Sequence, residues 1–381
     1  MAQFPYAERG QALIFIVFAM VALLVIAGLA IDGGTVFLER RRMQNAADAA
    51  ALAGTRLLAE AICGEPEADD AAIAAEVNHY AEINGVKAPD NNVVADYVDF
   101  EERVLGHVGD GTIPTGATGI SATVEISRPT YFVTLVGIDT AGASAYALAM
   151  TGPPLMAGGI LPMITDVDLV ENRAPGEEFR IIFANCQHQE PCYIVDPDTG
   201  DPIAQHRGWL NLDYIYNAAE TPDFPRVVSK NPSNAKVRSW VRNGADVILY
   251  AGSVGGDDGD FVHAIPGERT SAIKEAESHR IGDLVYIPLF DVIRDKDYMA
   301  THFEEPSIGW ATAGGGWYYH VVGFVGFRIT ETDYHGPQKY IQGELVETII
   351  GEGMLNPSEG YQSGGGSSAC KTHTMVVTLW R

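Results

Sequence analysis

Residues 11–31 read QALIFIVFAMVALLVIAGLAI, an apolar segment with no charged side chain anywhere between Arg9 and Asp32. About 20 such residues in an α-helix span the hydrocarbon core of a bilayer. A secretory signal peptide would have a shorter apolar core with a small-residue cleavage site directly after it. Here Asp32 and two glycines follow instead. We therefore predict a transmembrane helix from Gln11 to Ile31.

The helical pattern continues beyond the apolar segment. The run from Thr35 to Ile62 contains no proline, and small residues recur in it at helical spacing. If the helix is continuous from Gln11 to Ile62, it is on the order of 75 Å long. A small-residue face allows close approach, either to the protein's own globular part or to other subunits of a filament. The residues predicted to pack in a filament are Phe15, Ala46, Ala50, Ala53 and Gly54.

The charge of the chain limits its partners. Its 381 residues include 50 acidic and 25 basic side chains, a formal charge of −25, which repels phosphate backbones and argues against nucleic-acid binding. Basic residues flank both ends of the apolar segment, namely Arg9 and Arg40–Arg42. The positive-inside rule alone favours a cytoplasmic C-terminal region. The basic triplet, however, lies inside a continuing helical pattern, the residues after it are strongly acidic, and paired cysteines need an oxidising compartment. We therefore predict that the part of the chain after the apolar segment lies outside the cytoplasm.

Four cysteines form an even set, which in an exported chain indicates disulfides. Five residues separate Cys186 from Cys192, so a local bridge is the simplest pairing, and Cys63 would then pair with Cys370. Zinc is the alternative, but the spacings match no closed tetrahedral pattern closely. Its ligands would be drawn from Cys186, His188, Cys192, Cys370 and His373.

Motifs along the first 150 residues resemble the TadE/TadG-like proteins of the tight-adherence (Flp) pilus machinery. They are Glu8–Leu13, Gly28–Gly34, Gln44–Gly54, Ile120–Pro129, Tyr131-Phe132, Gly137-Ile138 and Ala143–Ala147. The resemblance covers roughly residues 8 to 152. It implies a structural, pilin-like component of a type IV-like pilus, with a membrane or other pilus subunits as partners, and not an enzyme.

The resemblance also implies processing. Type IV prepilins are cut after a glycine that precedes the apolar helix, which corresponds to cleavage between Gly10 and Gln11. The fifth residue after the cut is normally glutamate, whereas this chain has Phe15. That departure removes the charge that helps to register incoming subunits.

The rest of the chain predicts an α+β protein: a short leader (1–10), the long helix (11–62), a small helix-and-strand module (63–152) and a mainly β domain (153–381). In the module, a helix is predicted from Asp69 to Asn84, and Ala122-Val124-Ile126 alternates as a strand does. The last domain has short apolar runs between Gly, Pro and Asp, with helices near 234–243 and 270–279.

Two acidic loops resemble calcium-binding loops, since hard cations need several convergent oxygens. The first contains Asp196, Asp198 and Asp201, and the second Asp257, Asp258 and Asp260. A hairpin turn explains the first equally well. We otherwise predict no cofactor.

No catalytic motif supports an enzyme. Ser253 lies in Ala-Gly-Ser-Val-Gly, which lacks the first glycine of a nucleophile elbow and is read as a turn. An alternative function is a membrane-tethered adhesin, for which an aromatic cluster could form the binding surface, although core aromatics are commoner. The cluster comprises Trp310, Trp317, Tyr318 and Tyr319.

Overall fold

The computed structural model describes residues 11–86, 91–154, 156–171, 173–183, 206–217, 226–336, 338–350 and 374–380. The chain forms two compact units. The first comprises Met1–Leu58, Pro66–Met150 and Leu379–Arg381, and the second Ala59–Glu65 and Thr151–Thr378. The predicted α+β class is confirmed: a long apolar helix and a small helix precede mostly β-sheet, with 34% helix and 35% strand.

Two helices open the first unit. Helix α1 (Gln11–Ile62) is continuous, because the glycines after Asp32 do not break it. Helix α2 (Asp70–Ile83) begins where the Asp69 side chain accepts a 2.8 Å hydrogen bond from the Ala72 N–H. It ends before Gly85, whose φ of +100° suits a residue without Cβ. These are the start and stop that the sequence predicted.

Four antiparallel strands in the order β4-β3-β1-β2 complete the first unit: β1 (Asn91–Val98), β2 (Val104–His107), β3 (Gly119–Pro129) and β4 (Thr140–Gly152). Alternate residues of β3 are at most 3% exposed, as the period of a half-buried strand requires. They are Ile120, Ala122, Val124 and Ile126.

Strands β1 and β2 lie in a stretch that the sequence indicated only as a connector with one helix. β1 opens with two asparagines and contains an aspartate, residues that are unfavourable in strands. It forms because all eight of its residues pair with β3 and because Tyr97 and Val98 are buried. Pairing with residues 21 to 35 positions further along the chain therefore overrides local preference.

The second unit is mainly β. Its helices are α3 (Val167–Glu171), α4 (Asn234–Asn243), α5 (Thr270–His279) and α6 (Lys296–His302). Its strands are β5 (Met156–Gly158), β6 (Thr165–Asp166), β7 (Glu178–Ile182), β8 (His206–Asn217), β9 (Arg226–Val227), β10 (Ile248–Tyr250), β11 (Asp260–Pro266), β12 (Leu284–Arg294), β13 (Tyr318–Asp333), β14 (Tyr340–Val346), β15 (Thr348–Ile350) and β16 (Thr374–Leu379).

An eight-stranded sheet organises this unit, in the order β6-β12-β13-β11-β8-β9, with β14 joining β13 to β7. Only β6 pairs in parallel within it, and β15 and β16 pair in parallel outside it. The sheet and the helices α4 and α5 enclose a single large apolar cluster, which includes Trp209 stacked on Phe183 with ring centroids 4.3 Å apart. Burial of this cluster is the main source of the unit's stability.

Candidate functional site: the anchoring helix and its junction with the sheet

Helix α1 has two halves with opposite surroundings. Every residue from Leu13 to Ala27 is exposed, including large apolar side chains such as Phe15 (73%) and Phe18 (70%). From Met43 onward the helix is largely buried. Among the described residues, α1 is the one helix long and apolar enough to cross a membrane. Leu13 to Ile31 spans about 28 Å at the usual helical rise, close to the thickness of a hydrocarbon core.

The small-residue face of the buried half packs inside the first unit. Ala46 and Ala50 are fully buried, and Ala53 is 7% exposed. At Gly54, a Cβ would lie 2.6 Å from Cγ2 of Val77 in α2 and 3.0 Å from Cδ1 of Ile120 in β3. The chain itself therefore covers these four residues, which favours the alternative that this face packs within the protein's own unit. Packing of the same face against other subunits stays a prediction.

Phe15 is the one member of the predicted packing set that remains exposed. Of the predicted processing site, Gly10 lies outside the described residues and Gln11 is the first residue of α1. Cleavage between them stays a prediction.

Asp32 joins the exposed half of α1 to the connection between β3 and β4. This connection, Thr130–Ile138, is called the hairpin tip below, and it contains a 3-10 turn at Val133–Val136. The Asp32 carboxylate accepts hydrogen bonds from the backbone N–H groups of Tyr131 (3.0 Å), Phe132 (2.9 Å) and Val133 (2.8 Å). Asp32 is only 5% exposed, so these donors compensate for lost water.

Gly28 makes the same junction possible one helical turn earlier. A Cβ on Gly28 would lie 2.7 Å from Cβ and 2.9 Å from Cγ of Phe132. Only glycine leaves room for the Phe132 ring against the helix. The sequence placed Gly28 in the apolar span but did not reveal this contact.

The role of Asp32 was missed because its partners are about 100 residues away along the chain. The sequence treated Asp32-Gly33-Gly34 as an interruption of the helix. A signal was nevertheless present, since a carboxylate directly after a long uncharged segment needs hydrogen-bond donors from elsewhere.

The second acidic loop does not gather its carboxylates. Asp257 accepts from the Tyr298 hydroxyl (2.7 Å), Asp258 from the Ser253 N–H and hydroxyl, and Asp260 from the Tyr250 N–H (2.8 Å). Within the described part of the chain no group of three His, Cys, Asp or Glu could hold a metal ion. Separate protein donors therefore use the oxygens of this loop, and calcium binding at it stays a prediction.

Other predicted residues fall outside the described ranges. They are Asp196, Asp198, Asp201, Cys186, Cys192, Cys370, His188 and His373. Cys63 is disulfide-bonded. Its partner is outside those ranges, so the pairing with Cys370 stays a prediction, as does calcium at the first acidic loop.

The aromatic cluster belongs to the core of the second unit. Tyr318 and Tyr319 are fully buried, and Trp310 is 7% exposed. The Tyr318 hydroxyl lies 2.8 Å from the Ala311 N–H, which donates to it. Burial raises the pKa of Tyr318 and of Tyr319. These three rings are therefore core aromatics, as the alternative held, and Trp317 is partly buried against the apolar cluster of the same unit.

An ion pair that sequence reasoning missed lies inside the second unit. His320 Nδ1 is 2.8 Å from Asp291 Oδ1, and their side chains are 0% and 8% exposed. His320 Nε2 lies 2.6 Å from the Asp258 carbonyl oxygen, while the Gly255 N–H donates to Asp291 (2.6 Å). Since a carboxylate and a carbonyl oxygen face the two ring nitrogens, the surroundings favour the doubly protonated imidazole.

The environment of this pair shifts both pKa values. Burial disfavours the charge on His320, but the hydrogen bond and charge of Asp291 and the Asp258 carbonyl outweigh it, so its pKa is raised. Burial likewise opposes the charge on Asp291, but His320 and the Gly255 N–H lower its pKa. The pair holds the turn containing Ser253, whose hydroxyl donates to Asp258 (3.0 Å). Ser253 thus lies in the turn that the sequence predicted.

The sequence of α1 is similar to that of a known family. Residues 10–61 match the model of the Tad family, described as Flp pilus-assembly TadE/G-like. The resemblance predicted from the sequence is confirmed over this range. No curated protein and no solved structure matches the chain.

The Tad match covers nearly all of α1 and ends there. The family is one of structural and assembly proteins, not of enzymes. The match and the exposed apolar half of α1 together support a pilus-associated role at a membrane of the cell envelope. Beyond residue 61 the resemblance stays a prediction.

Proposed function

We propose that this protein is a structural, pilin-like component of a Tad-type pilus system, held in the membrane by the exposed half of α1 and carrying its folded units outside the cytoplasm. One observation carries the proposal. The Tad match at residues 10–61 coincides with a helix whose first half is exposed and whose second half is buried in a folded unit.

The apolar side chains on the exposed half of α1 are unfavourable in water and require a lipid or protein partner. They include Phe15, Leu23, Leu24 and Ile26, all more than half exposed. Each such side chain gains about 1.5–3 kcal/mol when it leaves water. Over Leu13–Ile31 the sum reaches tens of kcal/mol, which supports either a permanent anchor in lipid or transfer into a filament of other subunits.

The two halves of α1 would have different roles, one in the fold of the first unit and one in contacts with other subunits. Because Ala46–Gly54 is committed to its own unit, contacts with other subunits would fall on the exposed half. Phe15 lies on that half, where pilins carry a glutamate. Its packing would therefore depend on apolar contact and not on an ion pair with a new amino terminus.

Two features support an exterior location for the units. The chain carries a formal charge of −25, which suits a soluble surface, and Cys63 is disulfide-bonded, which suits an oxidising compartment.

Analysis of sheared surface filaments and of the purified pilus assembly complex by peptide mass spectrometry tests this proposal. We expect peptides from residues 155–381 in at least one of the two preparations, in amounts that fall when Leu23→Arg is introduced into the apolar half. Leu105→Arg, on the partly exposed strand β2, is the control. Absence from both preparations would refute the structural role.

A further inference from the structure

The hairpin tip is an apolar surface beside the anchor. Thr130–Ile138 reads TYFVTLVGI and contains no charged residue, although Arg128 and Asp139 flank it. Tyr131 is 68% exposed, Phe132 43% and Ile138 52%. Exposing large apolar side chains to water at the tip of a hairpin is unfavourable unless a partner covers them.

The position of the tip along α1 is fixed by two contacts. Phe132 lies against Gly28, and the N–H groups of residues 131–133 bind the Asp32 carboxylate. Gly28 is three residues, or about 5 Å of helix, inside the end of the apolar segment at Ile31. If the apolar segment crosses a bilayer, Phe132 lies at the depth of Gly28 and cannot stay outside.

The backbone of the tip is suited to such a place, where water is scarce and unpaired N–H groups are costly. Besides the three N–H groups bound by Asp32, the Thr130 N–H donates to the Asp139 carbonyl (3.0 Å). The Gly137 N–H donates to Thr134 (3.0 Å) and the Ile138 N–H to Val133 (3.2 Å). The Thr130 hydroxyl also donates, to the Ile138 carbonyl.

We propose that the hairpin tip inserts into the membrane interface beside α1. The protein is then attached to the bilayer through the helix and through Tyr131, Phe132 and Ile138. The partner is the lipid bilayer, because the tip continues the surface of the anchor, lacks charge and presents a tyrosine and a phenylalanine where amphipathic rings favour the interface. The inference rests on the proposed anchoring by α1. A second attachment point would fix the tilt and rotation of the first unit on the membrane.

Quenching by brominated lipids in vesicles tests the insertion on the full chain. Three tryptophan variants are reconstituted: Tyr131→Trp at the tip, Leu23→Trp in the middle of the apolar segment, and Val104→Trp on strand β2, whose side chain is 60% exposed. The signal of the five native tryptophans is subtracted by measuring the unsubstituted protein in the same vesicles. One lipid carries bromine near the acyl carbonyl and the other near the chain end.

We expect the added fluorescence of Tyr131→Trp to fall at least about twofold with shallow bromine. Leu23→Trp should respond most to deep bromine and Val104→Trp to neither. If Leu23→Trp is quenched while Tyr131→Trp behaves like Val104→Trp, the insertion is refuted and the anchor stands. If Leu23→Trp is itself unquenched, the anchor is refuted, and the insertion with it.

Discussion

Replacing Gly54 by alanine tests whether the small-residue face of α1 belongs to the protein's own core. The new Cβ would lie 2.6 Å from Val77 Cγ2 and 3.0 Å from Ile120 Cδ1, closer than carbon atoms pack. Val77 is 2% exposed, and its branched side chain has little freedom to turn away. Overpacking of this kind costs about 1–3 kcal/mol.

Gly34→Ala is the matched control. Gly34 is in the same helix, and nothing lies within 4 Å of the position that its Cβ would take. Both substitutions gain about 1 kcal/mol of helix propensity. The difference between the two variants is therefore the packing cost alone, about 1–3 kcal/mol in the free energy of unfolding of the first unit.

Hydrogen exchange followed by mass spectrometry, on peptides of α2 and β3 in the detergent-solubilised chain, measures this difference. Each 1.4 kcal/mol changes the population of the open state tenfold, so these peptides should exchange roughly 5- to 150-fold faster in Gly54→Ala than in Gly34→Ala. Equal exchange in the two variants would show that Gly54 is not packed against α2 and β3, and the small face would then be free to contact other subunits.

Three further predictions concern charged side chains. Because folding raises the pKa of His320 above its ordinary value near 6.5, its contribution to stability is complete below about pH 6.5 and is lost as the pH rises through the raised value. The free energy of unfolding of His320→Gln should not show this loss of stability as the pH rises. Tryptophan fluorescence measures unfolding of the second unit, because four of the five tryptophans are in it. An unchanged pH profile in His320→Gln would contradict the prediction. Burial, with help from Asp168 and Asp291, raises the pKa of Asp166 to about 6, so Asp166→Asn should stabilise the second unit by about 1–3 kcal/mol at pH 7 and have little effect at pH 4. Asp32→Ala should speed hydrogen exchange of residues 131–133 relative to the surface control Asp48→Asn, and equal rates in the two would show that the carboxylate does not hold the hairpin tip.

The helices were predictable because their signals are local. The apolar segment of α1 fixes its type and length without reference to any other element. Asp69 at the start of α2 and Gly85 beyond its end act within one turn of the helix that they delimit. The boundaries of both helices were therefore predictable to within a residue.

Contacts between distant residues were not predictable in the same way. Strand β1 exists because of its pairing with β3, and Asp32 binds N–H groups about 100 residues away. Asp291 and His320 are 29 residues apart and meet because strands β12 and β13 pair in a register that brings Phe290 opposite Val321. Nothing in the local pattern near either residue shows that register.

The packing partner of the small-residue face of α1 was not predictable for a different reason. A run of alanines and one glycine meets the requirement for close packing on any partner, whether α2 and β3 of the same chain or another subunit. Sequence periodicity cannot distinguish the two. The contacts of Gly54 with Val77 and Ile120 decide for the protein's own unit.

We propose that the exposed half of α1 anchors this protein in a membrane while the rest of the chain lies outside the cytoplasm. Protease digestion of intact spheroplasts, followed by alkaline extraction and mass spectrometry of the membrane-bound fragments, tests both parts of this proposal. We expect peptides from residues 155–381 to be lost without lysis and a fragment containing Leu13–Ile31 to remain in the membrane. Release of the whole chain by alkali, or digestion only after lysis, would contradict it.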